Sequence, residues 1–433
     1  MNILLINPFW PYPYSKGEST YNRIWPPLSL LNCATILNNS CFNAQILDCH
    51  AMRLQPHEIK KHLNGFDKIF ISSSSLDKWQ CPNIDIDIFL ETVKIVKEVT
   101  NEFYIIGYHG TVNAENVLKS TEARAVIIGE PEFTVLELIK HDKLEQINGI
   151  CFKRENQIFF TQKQDPVNLS LLPVPDYSLL NGNRYFYEIL GKKYFLFEAS
   201  RGCSFKCRFC NRVMYGPGLR KKSIEQIKEE LKTAIENYNI KNGYFIDLDF
   251  LQSRNLAEEI CSYLSRRRYR FRWACQTRVD LINKDILQKM EEAGCALIHI
   301  GIETGVSRLQ ASVDKEISFD IAKQAIELCK QFKIKTLIFI LFGLPGETNK
   351  DRLRTLKFVK KLGADFVSFH KFYPYEGSDL SIIDSIYTEA TLIDDFIKWS
   401  YLKYYLRPGY ILRLEVPLIL KCMKLFFGRV RTL

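Results

Sequence analysis

The feature that most limits what this chain can fold into is a double alternation of short apolar runs with helical stretches, once before and once after a proline-rich interval. In the first block the runs are "ILLIN", "AQILD", "KIFISSSS", "FYIIG" and "RAVIIG", and helical patterns such as "LSLLNCATILNN", "DIFLETVKIVKEV" and "FTVLELI" lie between them. Strands that alternate with helices in this way predict βαβ units and an open parallel sheet. The interval "DPVNLSLLPVPDYSLLNG" then brings Pro166, Pro173 and Pro175, which break helix and sheet alike. Six further runs follow, "YFLFEAS", "GYFIDL", "RFRWACQ", "ALIHIGI", "TLIFILFG" and "DFVSFHK", enough for a partial parallel barrel. The 433 residues exceed what one core usually organises. The expected fold is α/β: a doubly wound, Rossmann-like domain over residues 1–150, a linker over 151–190, a partial (β/α)6 barrel over 191–375, and an extension over 376–433 that closes the barrel.

Function should sit beyond the carboxyl ends of the strands in both blocks. In the first block those ends read Asn7, Asp48, Ser72 to Ser75, Gly107 to Gly110 and Gly129 to Glu132, the composition of a cofactor crevice. In the second, Cys203, Cys207 and Cys210 follow the first strand, and Asp247 and Asp249 end the second. Gln276 and Arg278 follow the third, Glu303 and Thr304 the fourth, "GLPGET" the fifth and "YPYEG" the sixth. Each has an ordinary explanation as a cap, a turn or a solvated charge. All six on one rim predict a site.

The cysteines say what kind. Thirteen of them, an odd number scattered over a long chain, argue against a secreted disulfide framework and for a reducing compartment. The start "MNILLINPFW" does not read as a signal peptide, and no run reaches the roughly 20 apolar residues of a membrane span, so a cytoplasmic location is expected. The net charge of +10 is spread out and by itself names no ligand; no nucleic-acid partner is expected. Three thiolates within eight positions leave one coordination place empty, where a structural zinc site closes all four. An iron-sulfur cluster held by three thiolates instead keeps one iron open to a substrate.

At this point "CSFKCRFC", with its CxxxCxxC spacing after the first barrel strand, resembles the signature of the radical S-adenosylmethionine (SAM) enzymes. The resemblance covers nearly the whole chain through "PPLSLLNCATILNN", "GYHGTVNAENVL", "AVIIGEPEFTVLEL", "LPVPDYSLL", "IDLDF", "ACQTRVDLI", "IGIETG" and "LFGLPGET". It narrows to the cobalamin-binding subfamily, which holds cobalamin-dependent methylases and the anaerobic oxidative cyclase of bacteriochlorophyll synthesis. "GYHG", "GEPE" and "YPYEGS" depart from the family's usual loops.

The resemblance implies a 4Fe-4S cluster on Cys203, Cys207 and Cys210, with SAM on the open iron as the source of a deoxyadenosyl radical. It places Asp247 and Asp249 at the SAM amino end, Glu303 and Thr304 at the ribose, Lys315 at the carboxylate, and Arg278 at the carboxylate or substrate. It implies cobalamin on the first domain, with Ser72, Ser73, Gly107, His109, Gly110, Gly129 and Glu130 along the corrin. Asp48, Cys49 and His50 match a corrinoid motif in part, but Arg53 stands where its glycine belongs, so His50 reads as a loop histidine and cobalt without a histidine below it is expected. The implied reaction is methylation of an unactivated carbon of a small-molecule substrate, with an external low-potential electron donor. Oxidative cyclisation or rearrangement without methyl transfer is the alternative, and a noncatalytic cluster or corrinoid carrier is the reading from another class. The basic, apolar tail "LILKCMKLFFGRVR" either packs on the barrel or forms a surface helix that touches anionic lipid.

Overall fold

Strand β1 (Asn2–Asn7) buries five of its six residues, and the pleat sends them to opposite faces of a sheet. Ile3 and Leu5 join one apolar cluster with the helix Leu28–Asn39, while Leu4 and Ile6 join another with the helix Asp87–Lys97. Strands β2 (Asn43–Asp48), β3 (Lys68–Ser72), β4 (Phe103–Ile106) and β5 (Ala125–Ile127) complete a parallel set in the order β2-β1-β3-β4-β5. The strand order reverses between β1 and β3, where such sheets open a ligand crevice. The computed structural model describes residues 1–10, 24–74, 82, 84–216, 218–381 and 390–411. Ser75 and the tail "LILKCMKLFFGRVR" lie outside these described residues.

The first domain does not stop at residue 150. Strands β6 (Ile150–Arg154) and β7 (Gln157–Phe160) add an antiparallel hairpin to the edge at β5. Its turn, Glu155 and Asn156, has φ of 48° and 68°, the double left-handed geometry that suits the twist of a two-residue hairpin. The expected linker therefore begins inside the sheet.

After a short ribbon of β8 (Phe186–Tyr187) and β9 (Gly191–Lys192), β10 (Tyr194–Phe197) opens the second block. Strands β11 (Ser200–Cys203) and β12 (Gly218–Lys221) form an antiparallel ribbon above it. Then come β13 (Asn242–Phe245), β14 (Arg272–Thr277), β15 (Cys295–Glu303), β16 (Lys335–Phe342) and β17 (Phe366–Lys371). The order β10-β13-β14-β15-β16-β17, parallel throughout, is the expected six-stranded partial barrel. Inside it, His299 is buried with Nε2 against the Tyr187 hydroxyl (3.0 Å) and Nδ1 against that of Tyr244 (2.9 Å). Trp25, from the first domain, packs on the same tyrosines.

An incomplete barrel leaves β17 as an open edge. The helix Ala390–Tyr405 covers it with tyrosines. The Tyr405 hydroxyl accepts from Val367 N–H and donates to its carbonyl, both at 3.0 Å, and Tyr401 does the same at Phe369 (3.0 and 3.3 Å). Of the described C-terminal extension, the helix Ala390–Tyr405 lies along the barrel's side, while residues 376–380 sit at the cysteine loop, with Asp379 on its cleft and Leu380 packed near Phe209. Among the described residues no helix is long and apolar enough to cross a membrane.

Candidate active site

Gly202 aims the cysteine loop. Its φ is 83°, and a Cβ there would sit 2.1 Å from the Gly218 carbonyl oxygen, so glycine alone lets the two strands of the ribbon approach. Cys203 ends β11 opposite Gly218, and a turn from Cys210 N–H to the Cys207 carbonyl (3.1 Å) brings the other two back. All three thiols are half-buried, whereas apart from Cys41 the other described cysteines are buried in the cores. A cleft of about 430 Å3 opens beside them, lined by Cys203, Ser204, Lys206, Arg212, Gly218, Asp314 and Asp379. Arg278 lies over the loop: its guanidinium stacks 4.2 Å above Phe205, stands 3.9 Å from Cys207 Sγ and donates to the Lys315 carbonyl at 3.0 Å.

The donor set fits a cluster better than a single ion. Among the described residues no three Cys, His, Asp or Glu side chains gather as a mononuclear site, but in a cluster each thiolate meets a different iron and the sulfurs need not converge. Burial pushes the Cys203 thiol up, with Asp249 and Cys207 adding to it. A thiolate in such a place needs a strong cationic partner, and metal coordination supplies one.

Of the two acids that follow β13, only one has a carboxylate oxygen without a protein partner. Asp249 accepts from Thr277 through Oδ1 (2.6 Å), while its buried Oδ2 has no protein partner. Burial lifts its carboxyl to about 6. An orphaned carboxylate oxygen beside the trio suits an ammonium group. Asp247 is used differently: Oδ2 accepts from Ala199 N–H (3.1 Å) and Oδ1 from the Ser200 hydroxyl, so both oxygens brace the chain between β10 and the ribbon. Both oxygens are thus engaged within the chain where a SAM contact was expected.

Two further side chains have partners that their expected roles did not include. Thr304 turns away from the rim and bonds Thr355 on the helix Asn349–Leu362 (3.1 Å), so it holds a helix to the barrel. Lys315, expected free for a carboxylate, is drawn into an ion pair with Glu303. Glu303 has φ of 64° in a three-residue turn closed from Thr304 N–H to the Ile302 carbonyl (2.8 Å), a strained form rare outside glycine. Gly301 leaves room for the pair, since a Cβ there would meet Glu303 Oε1 at 2.3 Å and Lys315 Nζ at 2.4 Å.

On the first domain the crevice rim is narrower than expected. Ser72 donates to the Ser74 carbonyl (2.7 Å), and the Ser73 hydroxyl accepts from His109 N–H (3.2 Å). Gly107, at φ 104°, turns the chain over the end of β4. Small serines and a left-handed glycine leave this rim low, which suits a flat macrocycle laid on backbone. Gly110 instead faces the sheet, where a Cβ would strike Val126 Cγ1 at 2.5 Å, and the space over Gly129 is taken by Gln164 Nε2 at 2.7 Å. His50 is buried, and its Nδ1 accepts from Trp10 N–H (3.3 Å).

Glu130 is the largest correction. Its Oε1 lies 2.7 Å from Arg201 Nη1, and its Oε2 meets Arg220 (3.0 Å) and Val167 N–H (2.8 Å). Arg201, fully buried, also takes Glu132 at 2.5 Å and Glu198 at 2.9 Å. Arg201 and Arg220 are cross-strand partners on the ribbon that ends in Cys203. Arg201 and Glu198 were not expected at the site, and Glu132 only as the end of a crevice loop. The signal available was an arginine two residues before the trio and the Glu-x-Glu at 130–132.

A model of the radical SAM superfamily matches residues 197–359, from the end of β10 into the helix after β16. The barrel is a radical SAM domain. The likeness of the whole chain runs further than this domain. It is 26% identical to an uncharacterized methyltransferase of Pyrococcus horikoshii, over 95% of this chain and 94% of that one. It is 24% identical to the anaerobic magnesium-protoporphyrin IX monomethyl ester cyclase of Rubrivivax gelatinosus, over 88% of this chain and 69% of that one. Among solved structures it superposes on the radical SAM methyltransferase TsrM of Kitasatospora setae, with cobalamin and a [4Fe-4S] cluster bound. There the TM-score is 0.70 and the identity 16%, covering 88% of this chain and 77% of that one. That likeness extends the shared fold to the Rossmann-like domain in front of the radical SAM domain.

Proposed function

We propose that the chain is a cobalamin-dependent radical SAM enzyme that methylates an unactivated carbon of a small molecule. The observation that carries the reading is the placement of two strand-end crevices against each other. The loops after β4 and β5 touch Asn211 and Arg201, the residues that flank the cysteine loop, through Tyr108, Glu130 and Glu132. When bound, the cluster and SAM supply a carbon-centred radical and the corrinoid a transferable methyl group. The protein's part is to hold both within reach of one substrate and to keep water out.

Cys203, Cys207 and Cys210 would hold the cluster, Asp249 would take the SAM ammonium, and Arg278 would balance charge at the thiolates and the carboxylate. Glu303 and Lys315 would shape the rim beside them. Ser73, Gly107 and His109 would meet the corrin face. The exposed side of the cysteine loop, with Lys206 and Arg208, would receive an external low-potential electron donor.

The relative named as a cyclase supports the second reading, radical oxidation without methyl transfer. Anaerobic reconstitution with iron, sulfide and hydroxocobalamin, then incubation with methyl-labelled SAM under reduction, separates the two. Tight corrinoid uptake with label moved onto the corrinoid supports methylation. Uptake without transfer favours the cyclase-like reading, and iron uptake with no corrinoid overturns methylation and leaves a radical enzyme that works without cobalamin.

A further inference from the structure

The trio sits in a stretch anchored at both ends, and at each end the other domain contributes to the anchor. Upstream, Arg201 reaches Glu130 and Glu132 at the end of β5 and the start of the helix Glu132–Lys140, and Glu198 beside it on the barrel side. Downstream, Asn211 directly follows Cys210 and is buried. Its Nδ2 donates to the Tyr108 hydroxyl and to the Glu376 carbonyl (2.6 Å), and that hydroxyl donates to the same carbonyl. Tyr108 follows Gly107, and its ring packs with Met214 and Tyr215, with Tyr215 lying 5.6 Å beneath the Arg201 guanidinium. Everything between the anchors is the cysteine loop.

We propose that Arg201 and Asn211 are positioning residues through which the first domain's strand-end loops hold the cysteine loop, so that the two crevices keep one fixed separation. A buried guanidinium among three carboxylates cannot slide, because any displacement leaves a charge desolvated and unpaired. The hydroxyl of Tyr108 is similarly committed to two groups. With both ends held, whatever seats itself on the loops after β4 and β5 biases the loop that carries the thiolates, and the coupling is reciprocal. The inference rests on the corrinoid reading above only for what occupies the first crevice.

Three substitutions test it. Glu132→Gln and Tyr108→Phe each loosen one anchor with little change of shape. Glu230→Gln breaks a pair of the same kind, Lys222 to Glu230 at 2.7 Å, buried beside the barrel. Hydrogen exchange over residues 203–216 in the cluster-free chain should speed up about tenfold in the first two, and SAM cleavage by the reconstituted protein should fall by about the same factor. The electron paramagnetic resonance spectrum of the reduced cluster, and its magnetic coupling to cobalt(II) in corrinoid-loaded protein, should change with them. Glu230→Gln should lower global stability and leave loop exchange and spectrum as in the wild type. Wild-type exchange and spectra in both anchor variants overturn the proposal, as does an equal effect from Glu230→Gln. Should Glu132→Gln fail to fold, Tyr108→Phe decides alone. A wild-type protein that takes up no corrinoid defeats the functional reading, while the exchange measurement still judges the anchors.

Discussion

At the level of single residues, the site divides into groups that face the cleft and groups that hold it in place. Cys203 belongs to the first kind, with Cys207 and Cys210 in the same loop. Replacing Cys203, Cys207 or Cys210 with alanine should in each case abolish SAM cleavage and leave reconstituted protein without its full iron content, because the other described cysteines except Cys41 lie in the cores. A variant that still makes deoxyadenosine would refute the assignment. Glu347, in the loop after β16, belongs to the second kind. It accepts from Gly343 N–H at 2.5 Å and lies near Arg352, yet burial lifts its carboxyl from 4.5 to about 7. Because the folded value is the higher, the stabilisation is complete below pH 4.5 and is lost as pH rises through 7, the unfolded chain giving up its proton first. Glu347→Gln should therefore gain on the wild type by about 2–3 kcal/mol between pH 4.5 and 8, measured by urea unfolding of cluster-free protein. A stability difference that does not vary with pH contradicts this.

Among the elements, the edge strand β17 and the helix Ala390–Tyr405 make the most unusual pair. A bare edge invites pairing with another chain. Here two tyrosine hydroxyls one helical turn apart occupy the N–H and C=O groups of Phe369 and Val367, alternate residues of the strand. The match follows from geometry, since a helix advances about 5.4 Å over a turn and a strand about 6.6 Å over two residues. Tyr401→Phe and Tyr405→Phe should each cost about 1–3 kcal/mol, the cost of stranding buried backbone groups. The double variant should also aggregate faster at equal unfolded fraction, as light scattering would show. Monomeric double variants with wild-type stability would mean that ring packing alone covers the edge.

For the molecule as a whole, the charge buried between the first domain and the radical SAM domain should make them unfold as one body. Expressed without residues 1–160, the barrel would keep Arg201 and Glu198 but lose Glu130 and Glu132. Such a fragment should be destabilised by about 3–5 kcal/mol or fail to fold, and the intact chain should melt in one transition by calorimetry. Two separated transitions would show the interface to be weak. The two blocks of alternation and the close spacing of the trio were legible in the residues alone, because strand periodicity and ligand spacing both act over a few neighbouring positions. The hairpin of β6 and β7 was not read, although Glu155 and Asn156 mark its turn. Asp247, Thr304, Glu130 and Lys315 stand where site residues were expected, but what a carboxylate or hydroxyl does depends on which group arrives opposite it. Those partners, Ser200, Thr355, Arg201 and Glu303, are 12 to 71 positions away. Local pattern therefore determined the elements and the spacing of the cysteine trio, while only the tertiary structure decided which polar side chains were left over for chemistry, since burial makes every unpaired charge costly and settles the pairs first.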